Sequence, residues 1–141
     1  MAGNEMRDHV IICGYGLVGE NVTDILLQHG IRVLVIDQNE KIIRLLSEKG
    51  VPAIEGDATS AKILRSAGIE RAKAIAIAMD DDAKNLFTVI TARSLNGKII
   101  IATRANDELL KEKLKEAGAG FVATPNKSAS DELFKELVKG V

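Results

Sequence analysis

Apolar residues in this chain gather in short continuous runs that recur roughly every 20 residues. The runs are Val10-Ile11-Ile12, Val33-Leu34-Val35-Ile36, the short Pro52-Ala53-Ile54, Ala74-Ile75-Ala76-Ile77-Ala78, Ile99-Ile100-Ile101-Ala102 and Phe121-Val122-Ala123. Unbroken runs, rather than alternating ones, predict strands covered on both faces. The intervening segments carry helical periodicity: Val18, Val22, Ile25 and Leu26, then Ile42, Ile43, Leu45 and Leu46. Leu86, Val89, Ile90 and Arg93 continue it, as do Leu109, Leu110 and Leu114. Gly30, Gly50, Gly68, Gly97 and Gly118 each stand just past a periodic stretch and predict helix stops.

The alternation predicts an α/β fold: a Rossmann-like, doubly wound, parallel six-stranded sheet with right-handed crossovers. One element falls outside it. After Pro125, Ser128-Ala129-Ser130-Asp131 reads as a helix start, followed by Leu133, Phe134, Leu137 and Val138. This amphipathic C-terminal helix has no strand after it, so it either packs on its own sheet or docks on a partner. The organisation expected is a polar tail over 1–7, a nucleotide-binding unit over 8–125 and the extra helix over 126–141.

A chain of 141 residues with 46% apolar and 28% charged residues is enough for one domain with its own core. The net charge of −1 creates no field that would gather nucleic acid or anionic membrane. One Tyr, three Phe and no Trp leave few stacking platforms for single-stranded nucleic acid. No apolar stretch approaches the roughly 18 residues of a membrane span, so direct insertion is not expected. Cys13 ends an apolar run and reads as a small buried side chain, consistent with a reducing cytosol.

The chemistry concentrates after the first strand. Gly14-Tyr15-Gly16-Leu17-Val18-Gly19 lies between a predicted strand and a predicted helix, the context this glycine spacing requires. Gly14 allows the turn, Gly16 lets backbone approach a pyrophosphate, and Gly19 lets helix pack on strand. Backbone N–H groups and the helix dipole then face the anion. Asp37 closes the second run, 18 positions after Gly19, where a carboxylate accepts from ribose hydroxyls. Its charge opposes a 2′-phosphate, and no arginine stands at 38 or 39, which favours NAD(H) or an adenosine nucleotide over NADP.

The other strand ends supply further candidates. Asp57, in Gly56-Asp57-Ala58-Thr59, either accepts from the adenosine side or, with Thr59, caps the next helix. Met79-Asp80-Asp81-Asp82 offers three carboxylates, which suit the first turn of a helix better than a Ca²⁺ site. Arg104, in Thr103-Arg104, either reaches a phosphate or base or forms a surface ion pair. The candidate cleft thus comprises Gly14, Tyr15, Gly16, Leu17, Val18, Gly19, Asp37, Gln38, Asp57, Ala58, Thr59, Ala78, Met79 and Arg104, with no metal ligands.

These segments, with Ala117-Gly118-Ala119, Val122 and Pro125, resemble the RCK domains, also called KTN or TrkA N-terminal domains, over residues 8 to 140. Such domains are cytosolic ligand-sensing modules of potassium channels and Trk/Ktr transporters. The resemblance implies binding of NAD(H), ATP, ADP or AMP in the cleft. It also implies pairing through the sheet edge and the last helices, with the helix over 128–139 as the crossover helix that exchanges contacts with a neighbour, and octameric rings beneath a membrane pore. It places phosphate at Gly14, Gly16 and Gly19, ribose at Asp37, the base side at Asp57 and Thr59, and Arg104 near phosphates or base. Many relatives carry arginine directly after the second glycine. Here Leu17 stands there, which tilts the expectation from ATP toward NAD(H), ADP or AMP. The smaller C-terminal subdomain usual in the family is not in this sequence, so a fragment and a separate subunit both remain open.

The rival reading is an oxidoreductase, which needs a second region supplying substrate contacts and an acid or base. The predicted fold consumes nearly the whole chain. His9 and His29 fall at the far end of the first strand and at a helix end, where structural roles are expected. A non-enzymatic sensor is therefore the expectation.

Overall fold

A computed structural model describes residues 6–124 and 127–139. The first unit is β1 (Val10–Cys13), α1 (Leu17–Gln28) and β2 (Val33–Asp37), followed by α2 (Glu40–Glu48) and β3 (Ala53–Glu55). The chain then crosses through α3 (Ala61–Ser66) to β4 (Ala74–Ile77). It continues through α4 (Asp82–Leu95), β5 (Ile100–Arg104), a 3₁₀ turn at Glu108–Leu110, α5 (Lys111–Ala117) and β6 (Phe121–Ala123) to α6 (Lys127–Val138). The strands form one parallel six-stranded sheet in the order β3-β2-β1-β4-β5-β6, as the apolar runs predict.

Alternate residues of each strand serve opposite faces, so both faces need a helical cover. Ile11, Leu34, Ile75 and Ile101 pack with Leu64 of α3, Val89 of α4 and Leu114 of α5. Ile12, Val33 and Val35 pack with Leu46 of α2 and with Val22 and Leu26 of α1. The order reverses between β1 and β4, and the crevice at the carboxyl ends of these strands is where ligands of such sheets bind.

Local chemistry sets the helix limits. Asn39, Ser60 and Asp81 cap α2, α3 and α4 by accepting from Lys41, Ile63 and Lys84 N–H groups. Gly30, Gly50, Gly68 and Gly118 take positive φ past their helices, as expected. Gly97 does not. Asn96 ends α4 instead: its Oδ1 accepts from Lys98 and Ile99, and its Nδ2 donates to the Ile69 carbonyl. Arg93 donates to the Asn96, Gly97 and Gly118 carbonyls, covering orphan acceptors there.

Some periodic positions are not core. Ile25, Leu45, Ile90 and Leu109 are exposed. On α1 the residues buried against the sheet are Gly19 and Thr23, and small residues bring the helix axis close, so bulkier neighbours turn outward. The start placed at Ser128 falls one residue inside α6, and Pro125 lies outside the described residues. On α6, Leu133, Phe134 and Leu137 are 64%, 65% and 73% exposed, so packing of this stripe on its own sheet is ruled out.

Candidate nucleotide-binding site

Gly14 leaves β1 at φ +94°, donating its N–H to the Ile36 carbonyl of β2. This left-handed geometry favours glycine. Gly16 then heads α1 in extended conformation, with no side-chain cap taking the first-turn N–H groups. A Cβ on Gly16 would meet nothing within 4 Å, so its open side faces free space that a ligand can enter. A Cβ on Gly19 would stand 1.8 Å from the Gly14 carbonyl oxygen. Gly19 is thus where α1 touches the loop, as its spacing predicts.

Asp37 is fixed by the backbone. Its Oδ2 accepts from the Tyr15 N–H at 2.8 Å and its Oδ1 from the Asn39 N–H at 2.8 Å. The carboxylate therefore ties the end of β2 to the glycine loop while keeping lone pairs toward the crevice. Tyr15 meets Asp37 through its backbone N–H. Its ring is buried with Ile12, Val35 and Leu46, and burial, with Asp24 and Glu20 nearby, raises its hydroxyl pKa further.

The crevice encloses about 250 Å³. One wall is Gly14, Tyr15 and Gly16; a second is Ile36, Asp37, Gln38, Gly56 and Ala58; a third is Ala78, Met79, Asp80, Asp81 and Lys84. Eight predicted site residues therefore meet in one place: Gly14, Tyr15, Gly16, Asp37, Gln38, Ala58, Ala78 and Met79. Leu17, Val18, Gly19, Asp57, Thr59 and Arg104 do not line it. Leu17 is 76% exposed. Asp57 Oδ1 accepts from both the N–H and the hydroxyl of Thr59, and Ser60, not Asp57 or Thr59, caps α3. Those two bonds, helped by the Lys84 ammonium and opposed by partial burial, hold the Asp57 carboxyl below its usual range.

Arg104 takes the ion-pair role. Its Nη1 lies 3.0 Å from Asp80 Oδ1, and its Nε is buried without a hydrogen-bond partner among the described residues. The three carboxylates after β4 are each engaged. Asp80 pairs with Arg104, Asp81 caps α4, and Asp82 accepts from the N–H groups of Asn106 and Asp107. No group of three metal-ligating side chains forms among the described residues.

Sequence reasoning missed Lys84, the cation among the described lining residues. In the sequence it is one lysine on a helix, and nothing distinguishes it from a solvated one. His9 is buried with Nε2 2.8 Å from the Ala67 carbonyl, a contact in which the ring nitrogen donates, and His29 Nδ1 meets the Ile25 carbonyl at the end of α1. Both bond to backbone carbonyls, and neither lines the crevice. Burial pushes the Cys13 thiol well up, leaving it a packing residue.

The TrkA-N domain matches residues 10–125, a range that holds the glycine loop and all six strands. The chain belongs to the TrkA-N family. Probable potassium channel protein 2 of Methanocaldococcus jannaschii is 37% identical over 123 residues, which are 85% of this chain and 36% of that protein. The chain thus spans about a third of that relative's length. The TrkA-N domain of the inner membrane protein YbaL from Escherichia coli superposes with a TM-score of 0.88 at 27% identity, covering 94% of this chain and 98% of that one. The Shewanella denitrificans Kef CTD in its AMP-bound form superposes at 0.78 and 25% identity, covering 93% of this chain and 79% of that one. No helix among the described residues is long and apolar enough to cross a membrane.

Proposed function

We propose that this TrkA-N domain is a regulatory sensor that binds NAD(H) or an adenine nucleotide, with ADP or AMP preferred over ATP, and controls a potassium channel or transporter. The observation that carries this is Gly16. It heads α1 with uncapped N–H groups, has open space where a side chain would be, and shares the crevice with Asp37. That is the geometry of a phosphate cradle beside a ribose acceptor. The AMP bound in the Kef relative and the potassium-channel relative support the ligand class and the setting. An enzymatic role lacks support, because both histidines are structural and the single tyrosine ring is buried in the core.

Control would work by population shift: a nucleotide that binds one arrangement of an assembly better favours that arrangement, by no more than its differential affinity. The domain would sit on the cytoplasmic side of the membrane, paired through α6 and joined into a larger ring, octameric in the full assembly. The exposed stripe of Leu133, Phe134, Leu137 and Val138 supports α6 as the pairing element. Leu133→Asp with Leu137→Asp should lower the solution mass by sedimentation equilibrium. An unchanged mass would remove α6 from the interface.

The functional test is thermal melting with NAD⁺, NADH, ATP, ADP and AMP. A ligand at a hundredfold its Kd stabilises by about 2.7 kcal/mol, a rise of several degrees. Gly16→Val should leave the unliganded stability within about 1 kcal/mol of wild type while erasing that rise, because its side chain enters space a ligand needs. If no nucleotide moves the wild-type midpoint, the sensor reading fails.

A further inference from the structure

We propose that Lys84 is the residue through which this crevice reads the phosphate charge of its ligand. The inference deepens the nucleotide-sensor reading and rests on it. The described crevice lining carries the carboxylates of Asp37, Asp80 and Asp81 against a single cation, Lys84. An anionic ligand entering such a site needs a compensating positive charge close at hand, and a Lys–phosphate contact supplies one. Two other positions could have supplied it. Leu17, directly after Gly16, is uncharged and exposed. Arg104 lies outside the lining, held by Asp80.

Lys84 is placed for the role. It sits in the first turn of α4, with its N–H held by the Asp81 carboxylate and its carbonyl by the Thr88 hydroxyl. Its base is therefore fixed while its four-carbon stem stays adaptable. From there Nζ reaches 3.4 Å from Gln38 Oε1, beyond the ribose-binding end of β2, so the side chain spans the crevice from β4–α4 to β2. Its field also reaches Asp57 on the third strand's exit. The contact to Gln38 is long and its acceptor is an uncharged amide oxygen, so a charged phosphate oxygen readily displaces it.

The test is calorimetric titration of the 141-residue chain and of Lys84→Met and Lys84→Arg with adenosine, AMP, ADP and NAD⁺ at two salt concentrations. Lys84→Met should weaken the phosphate-bearing ligands by about tenfold or more and flatten their salt dependence. Adenosine should change by less than about threefold, and Lys84→Arg should recover most of the loss. Unliganded stability of Lys84→Met should stay within about 1 kcal/mol of wild type, since the ammonium makes only the long contact to Gln38 and a weak attraction to Asp57. Wild-type affinity for AMP, ADP and NAD⁺ in Lys84→Met would overturn the inference while leaving the sensor reading intact. So would an equal loss for adenosine. Absence of binding by the wild-type chain would instead bring down the sensor reading, and this inference with it.

Discussion

Gly19→Ala is expected to destabilise the domain by about 3 kcal/mol or more and to abolish nucleotide binding. The added Cβ would lie 1.8 Å from the Gly14 carbonyl oxygen and 2.9 Å from its carbon. Both are backbone atoms, so no rotamer change relieves the clash. Either α1 moves off the sheet or the loop after β1 moves. Moving α1 pulls Thr23 and Val22 away from the sheet, and moving the loop breaks the Gly14 N–H bond to Ile36. Urea denaturation should show a lower midpoint at nearly unchanged slope. The Gly16 variant is the control, because its position is open. A Gly19→Ala domain as stable as wild type would mean that the close approach of α1 is not what fixes the loop.

Asp37→Ala is expected to lose both the ligand-induced rise in melting temperature and about 2 kcal/mol of intrinsic stability. The second part follows from the two N–H groups that the carboxylate holds, those of Tyr15 and Asn39. Bonds to a charged acceptor are worth more than neutral ones, and the Tyr15 N–H is partly buried, so water replaces its partner poorly. Asp37→Asn keeps one acceptor oxygen and should lose about half as much. Chemical denaturation without ligand separates the bracing role from the ribose role. A stable Asp37→Ala domain that no longer responds to nucleotide would remove the bracing role alone. One that still responds would remove the ribose role.

Asp37 also shows how far the sequence reaches. Its place at the end of an apolar run, 18 positions past Gly19, is visible in the linear chain and points to ribose. That the same carboxylate clamps Tyr15 depends on β1 and β2 lying in register, Cys13 beside Ile36, which only the folded sheet brings about. The same limit separates Arg104 from Lys84. Both are single cations near strand ends in the sequence. The fold turns Arg104 toward Asp80 and sets Lys84 across the crevice.

What the chain determined by itself is the alternation of buried strands and covering helices, the glycine loop after β1 and the acidic end of β2. Each rests on local rules: apolar runs need two covers, positive φ needs glycine, and a helix start needs a cap. The tertiary structure alone decided which strand-end residues share the crevice, which are occupied with one another, and that α6 leaves its apolar stripe uncovered. These depend on distances between segments far apart in sequence. A side chain's partners are set by packing and register, and neither is written in the spacing of residues along the chain.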